Sequence, residues 1–208
     1  MSKHKIIHQI FLDIGLKPYK YRKDYQRNVS INKAMNPDYK HILWRDKEVD
    51  KFINKQSKDI RYLWNDFPDP FYKIDFVRYL ILQEYGGIYI DLDVSCKIPL
   101  SKINDKNRVP KILGQWTDPK TGKIRINNNV ISLDTKLYPK LIKYAISQYN
   151  EKKRMPIYKT WKKRRFLHSV GSKMFVRFAK INKIEDNKIE FVQMFEDEQG
   201  ESWVTKQF

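Results

Sequence analysis

Two carboxylates, Asp91 and Asp93, stand one residue apart at the end of the short apolar run in EYGGIYIDLDV. Side chains alternate along a strand, so both acids face one side and Leu92 the other. If the strand breaks there, both still reach one ion or one polyol. Two such charges repel, and each raises the cost of ionising the other unless a cation, a cluster of donors or solvent compensates. Mg²⁺ or Mn²⁺ is a natural compensation, because a hard divalent cation takes carboxylate and phosphate oxygens together. A solvated turn also carries Asp-X-Asp, so the chemistry needs support from its setting.

The setting is a helix, two glycines and a strand. In FYKIDFVRYLILQEYGG, Ile74, Val77 and Ile81 recur at helical spacing, Phe76 and Leu80 widen the apolar face, and Gly86-Gly87 supplies the stop. Asp75 and Arg78 lie three apart on another face of that helix, where they make either an ordinary salt bridge or part of a site. The run IYI that follows has room only for a short strand, which delivers Asp91 and Asp93 at its C-terminal end, where open α/β sheets bind ligands.

Upstream, KIIHQIFL reads as a first buried strand ended by Gly15 and Pro18. A helix to about Met35, a turn at Asn36-Pro37-Asp38, a strand YKHILW and a helix from about Asp46 follow. Downstream, KILGQW and NNVISLD read as strands separated by a turn at Asp118 to Gly122, and LYPKLIKYAISQYNEKK as a helix with Leu141, Tyr144, Ala145 and Gln148 on one side. FLHSVGSKMFVRFAKI is expected to be a loop entering a helix, and KIEFVQMF a last strand. Strands alternating with helices predict an α/β sheet.

Composition sets outer limits. With 208 residues, one sizeable core is the expectation, and 41% hydrophobic content argues against disorder despite 32% charged residues. Cys96 is the only cysteine, which excludes intrachain disulfides and a multi-cysteine zinc site. The opening MSKHKIIHQIFLDIG sets basic residues before an apolar run, but Asp13 cuts the run short, and no stretch reaches the roughly 20 apolar residues of a membrane helix. The expected location is cytoplasmic. A net charge of +18 favours polyanions of any kind: nucleic acid, an anionic membrane or a phosphorylated substrate.

The stretch DFVRYLILQEYGGIYIDLDV closely resembles the signature of the D-X-D glycosyltransferases, the family 32-like group with capsular-polysaccharide transferases and fungal α-1,6-mannosyltransferases. The resemblance extends to KIIHQIF, NPDYKHILWRD and NNNVISL, and more weakly to VGSKMF and ESW. It implies one α/β domain over residues 1–208, a GT-A type nucleotide-binding sandwich with a central mixed sheet flanked by helices. It also implies a nucleotide-sugar donor carrying UDP or GDP, and a glycan, lipid-linked or protein acceptor. The implied cofactor is Mn²⁺ or Mg²⁺, and the implied product retains the anomeric configuration.

Carried over residue by residue, Asp93 would ligate the metal, and Asp91 would sit near the ribose, the sugar or a metal-bound water. Asp75 and Arg78 would hold donor hydroxyls and the adjacent phosphate. His8 and Gln9 would contact the nucleotide, and Asn128 in the asparagine run would face donor and acceptor; taken by their residues alone, His8 equally reads as a satisfied strand histidine and Asn127 to Asn129 as a plain turn. Ser202 and Trp203 would close over the donor. Many relatives place a metal-binding histidine near the C-terminus; this chain has none after His168, so Ser202, Glu201, Asp197 or water would take its place.

Two other readings stand beside this one. A basic nucleic-acid-binding protein would explain the charge and the run IYKTWKKRRF, but leaves the Asp pair unexplained. A degenerate transferase would bind donor without turnover. The same basic run is either a solvated face or a site of peripheral membrane contact.

Overall fold

The structure is a computed structural model that describes residues 5–13, 23–102, 112–117, 122, 124–157, 162–184 and 191–193. Its centre is a five-stranded mixed sheet in the order β2-β1-β3-β6-β5, formed by β1 (Ile6–Ile10), β2 (Lys40–Trp44), β3 (Ile88–Ile90), β5 (Ile112–Thr117) and β6 (Ile124–Ser132). β1 runs parallel to both β2 and β3, while β3 with β6 and β5 with β6 are antiparallel. A separate two-stranded ribbon joins β4 (Val94–Cys96) to β7 (Phe191–Gln193).

Alternation along the strands divides the core into two faces. Ile10, Trp44, Tyr89 and Ile131 face the larger cluster, shared with α2 (Asp46–Ile53), α3 (Lys58–Asp66), α4 (Pro70–Tyr85), α5 (Tyr138–Arg154), α6 (Lys162–Ser169) and α7 (Ser172–Ile181). Ile7, Ile88, Ile90 and Val130 face the opposite side, against Met35 of α1 (Lys23–Met35) and against Val94, Cys96 and Leu100. Both faces are covered, as the apolar run IYI requires.

The helix that matters most for the site, α4, begins where Asp69 accepts the Phe71 amide and Pro70 occupies the first turn. Ten of its sixteen residues are buried, so it is surrounded by the core rather than presenting one apolar face as the spacing predicts. It stops at Gly86 and Gly87, which take φ of 66° and 84°. A Cβ at Gly87 would lie 2.5 Å from the Ile6 carbonyl oxygen, so only glycine lets the chain turn directly into β3 beside β1.

The sheet and helices lie close to their expected places, with three differences. Helix α3 was not anticipated, and neither was β4, which pairs outside the main sheet. The segment expected to be a loop before the last helix contains α6, with the break at Val170 and Gly171. The strand β3 is the run IYI, as expected, and Asp91 to Asp93 form a turn beyond it, closed by the Val94 amide donating to the Asp91 carbonyl at 3.1 Å.

Candidate active site

At the C-terminal ends of β1 and β3 lies a cavity of about 180 Å³. Asp75 and Arg78 reach it from α4, Asp91 and Asp93 from the turn after β3, Asn127, Asn128 and Asn129 from β6, and Ser172 from the start of α7. Asp91 and Asp93 thus open on one space although they are not on a strand. The asparagine run, whose other reading was a plain turn, is the middle of β6.

Arg78 organises the acids. Its guanidinium pairs with Asp75 one turn earlier and lies 3.3 Å from Asp91 Oδ1. It also donates to the Asn128 carbonyl at 2.8 Å and stacks over the Tyr89 ring at 4.4 Å. The pair Asp75–Arg78 is therefore an i,i+3 ion pair and a cavity wall at once, with side chains only 10% and 4% exposed. Breaking a pair at such burial would strand an uncompensated charge. Tyr89 donates its hydroxyl to Asp91 Oδ1, and the Asp91 amide donates to the Asn129 carbonyl at 2.7 Å. Asn128 in turn donates to the Tyr79 hydroxyl, which donates to the Val170 carbonyl.

Burial pushes the Asp75 carboxyl up to about 6, against the pull of Arg78, with the Asp91 charge adding to the rise. Asp91 is also raised by burial, opposed by Arg78 and by the Tyr89 hydrogen bond, while its side chain keeps 27% of its surface open. Arg78 is raised, because the attraction of Asp75 and Asp91 outweighs its desolvation. The cluster thus has one permanent cation serving two acids whose charge is costly. Both Asn129 side-chain polar atoms are buried without a hydrogen-bond partner in a residue that lines the cavity. The amide packs against Gly114 of β5, where a Cβ would lie 1.7 Å from Asn129 Oδ1.

For His8 the structure gives the satisfied strand histidine in place of the nucleotide contact. It is fully buried, its Nε2 donates to the Gly86 carbonyl at 3.0 Å, and its Nδ1 accepts from the Trp44 indole at 3.1 Å. Both ring nitrogens are committed to joining β1, β2 and the end of α4, which leaves none for a nucleotide. Gln9, on the opposite face of β1, is buried with its amide nitrogen unpartnered and does not line the cavity. Ser202 and Trp203, with Glu201 and Asp197, lie outside the described residues.

Tyr89 and Gly171 went unnoticed in the sequence. The signal for Tyr89 was available, because residues two apart on a strand share a face, and Tyr89 precedes Asp91 by two. Gly171 caps α7 where a Cβ would lie 3.2 Å from Asp75 Oδ2 and 3.0 Å from the Leu167 Cα. Its missing side chain lets the α6–α7 corner close against Asp75.

Comparison with known proteins agrees with this arrangement. Residues 22–110 match the family described as a glycosyltransferase sugar-binding region containing a DXD motif, so the resemblance seen in the sequence is borne out there. A mannosyl phosphorylinositol ceramide synthase of Saccharomyces cerevisiae is 32% identical over 127 residues, covering 61% of this chain and 30% of that protein. An initiation-specific alpha-1,6-mannosyltransferase of Candida albicans is 31% identical over 117 residues, covering 51% and 30%. The chain thus spans about 30% of the length of these curated relatives. Among solved structures, the ligand-free glycosyltransferase domain of the YGT toxin aligns with a TM-score of 0.56 at 11% identity, covering 99% of this chain and 84% of that one. That likeness concerns fold alone, and the fold is of GT-A type.

Proposed function

We propose that this chain, whose residues 22–110 match a glycosyltransferase sugar-binding region containing a DXD motif, is a metal-dependent, retaining glycosyltransferase that moves a hexose from a nucleoside diphosphate donor to a glycan, lipid-linked or protein acceptor. One observation carries the reading: Asp91, Asp93 and the Asp75–Arg78 pair, all within the matched segment, open on one cavity at the C-terminal ends of parallel strands. Mannose is the first hexose to test, since the relatives are named for mannosyl transfer.

The residues present fit a hard divalent cation. The Asp91 hydrogen bonds fall on Oδ1, and Asp93 lines the same cavity. Among the described residues no three acids, histidines or cysteines are placed to hold one metal ion together, so the diphosphate oxygens and water would complete the shell. Bound there, Mn²⁺ or Mg²⁺ would neutralise charge that builds on the departing diphosphate. Asp75, held ionised by Arg78, would accept hydroxyl protons of the donor sugar in hydrogen bonds. Arg78 would fix both acids and lend its charge to the diphosphate across the cavity, an interaction strongest when that group departs. Asn128, which lines the cavity, would orient a sugar hydroxyl.

The test is binding of nucleoside diphosphate sugars with and without Mn²⁺. Binding that needs the metal and vanishes in Asp93→Ala supports the reading. Metal-independent binding unchanged by that substitution sinks it.

A further inference from the structure

Helix α1 carries a polar ladder that the donor site alone does not explain. Asn28 and Asn32 recur at a spacing of four on its buried side, and Asn36 continues the row just past its end. Exposures are 0%, 0% and 1%. Asparagine is a poor helix former and costly to bury without partners, so three in one row call for a tertiary partner.

That partner is the backbone leading away from the two acids. Asn36 Oδ1 accepts the Leu100 amide at 2.7 Å. Asn32 donates to the Val94 carbonyl at 3.1 Å and accepts the Cys96 amide at 2.8 Å, imitating a neighbouring strand along β4. Asn28 donates to the Leu92 carbonyl at 3.0 Å. Leu92 is the residue between Asp91 and Asp93, and its carbonyl belongs to the planar peptide unit that ends in the Asp93 nitrogen. Fixing the direction of that carbonyl restrains the plane that runs to the Asp93 Cα, in the one peptide unit that joins Leu92 to Asp93 between the two acids. The turn is also held by the Asp91 amide on Asn129 and the Val94 amide on Asp91. The second closes a turn around the Leu92–Asp93 peptide, but such a turn accepts either facing of its central carbonyl, and the Asn28 amide selects one.

We propose that Asn28 is a positioning residue for the acid pair, acting through the Leu92 carbonyl, while Asn32 and Asn36 anchor the strand beyond it. The inference rests on the reading that Asp91 and Asp93 hold a metal–diphosphate complex. Outer-shell hydrogen bonds of this kind commonly change metal affinity by about 10- to 100-fold when removed.

The experiment measures Mn²⁺ bound in the presence of UDP, and separately of GDP, from the loss of the free-ion electron paramagnetic resonance signal. It compares the wild-type chain, Asn28→Ala, Asn28→Asp and Asn36→Ala, each with its thermal melt. The expected result is Mn²⁺ affinity at least about tenfold weaker in whichever Asn28 variants fold. Asn36→Ala, of similar burial, should melt earlier yet bind Mn²⁺ as the wild type does. Affinity unchanged at Asn28, or weakened equally at Asn36, overturns the inference while leaving the metal reading intact. Failure of the wild-type chain to bind Mn²⁺ with either nucleotide overturns that reading and this inference together.

Discussion

Replacing His8 by glutamine tests whether the first strand's histidine belongs to the fold or to the ligand. In the folded chain its pKa is lowered from 6.5 to about 4, chiefly by burial, which the Gly86 carbonyl opposes and the Lys40 charge assists. The Trp44 indole adds a further obstacle by occupying the lone pair that a proton would need. A folded pKa below the unfolded one means that the unfolded state binds more protons. Stability from this group is therefore complete above pH 6.5 and is lost as pH falls toward 4. At about 1.4 kcal/mol per unit, the whole separation is worth about 3 kcal/mol, and by pH 5 about 2 kcal/mol of it is gone.

Asp75 acts with opposite sign in an overlapping window, because its raised pKa stabilises the fold in acid and that contribution is lost as pH rises through about 6. A wild-type profile alone mixes the two. The assay is guanidinium unfolding of wild type and His8→Gln at pH 8 and pH 5, where Asp75 and the half-buried His41 cancel in the comparison. The wild type should lose about 2 kcal/mol more than the variant between those conditions. Equal losses in both proteins would refute the reasoning. Donor affinity of His8→Gln at pH 8 should match the wild type, since neither ring nitrogen is available to a nucleotide.

Two further outcomes follow from the acid cluster. Donor-sugar affinity should rise with pH through a midpoint near 6 as Asp75 ionises, and Asp75→Asn should bind weakly with that step absent; titration calorimetry from pH 5 to 8 reads both. Gly171→Ala, which crowds Leu167 and Asp75 Oδ2, should cost about 1 kcal/mol in stability and weaken donor binding, because backbone at the α6–α7 corner must shift. A thermal melt and a donor titration both matching the wild type would mean that the corner does not press on Asp75.

What the sequence disclosed depended on whether the signal was local. Helix α4, its glycine stop and the acids after IYI are written within one short segment, so their order and common destination were legible. Tyr89 was equally local but concealed by its apolar neighbours in IYI. The partners of His8 were not legible, because a strand histidine has two faces to choose from. Only the approach of Gly86 and Trp44, 78 and 36 residues away, settles which one it takes. Asn28 and Asn32 fall in a stretch legible only as helix, and Asn36 in a turn; their partners come from backbone more than sixty residues away. Likewise β4 is too short to show a period, and it forms where α1 and β7 meet its two edges.

The most direct test of the account is nucleoside diphosphate release from a panel of UDP- and GDP-sugars, GDP- and UDP-mannose included, with Mn²⁺ present. Controls are EDTA and an Asp93→Ala variant shown by its melt to be folded. The account predicts release from one donor, abolished by both controls. Release that survives EDTA and Asp93→Ala, or no release and no nucleotide-dependent thermal shift with any donor, would contradict it.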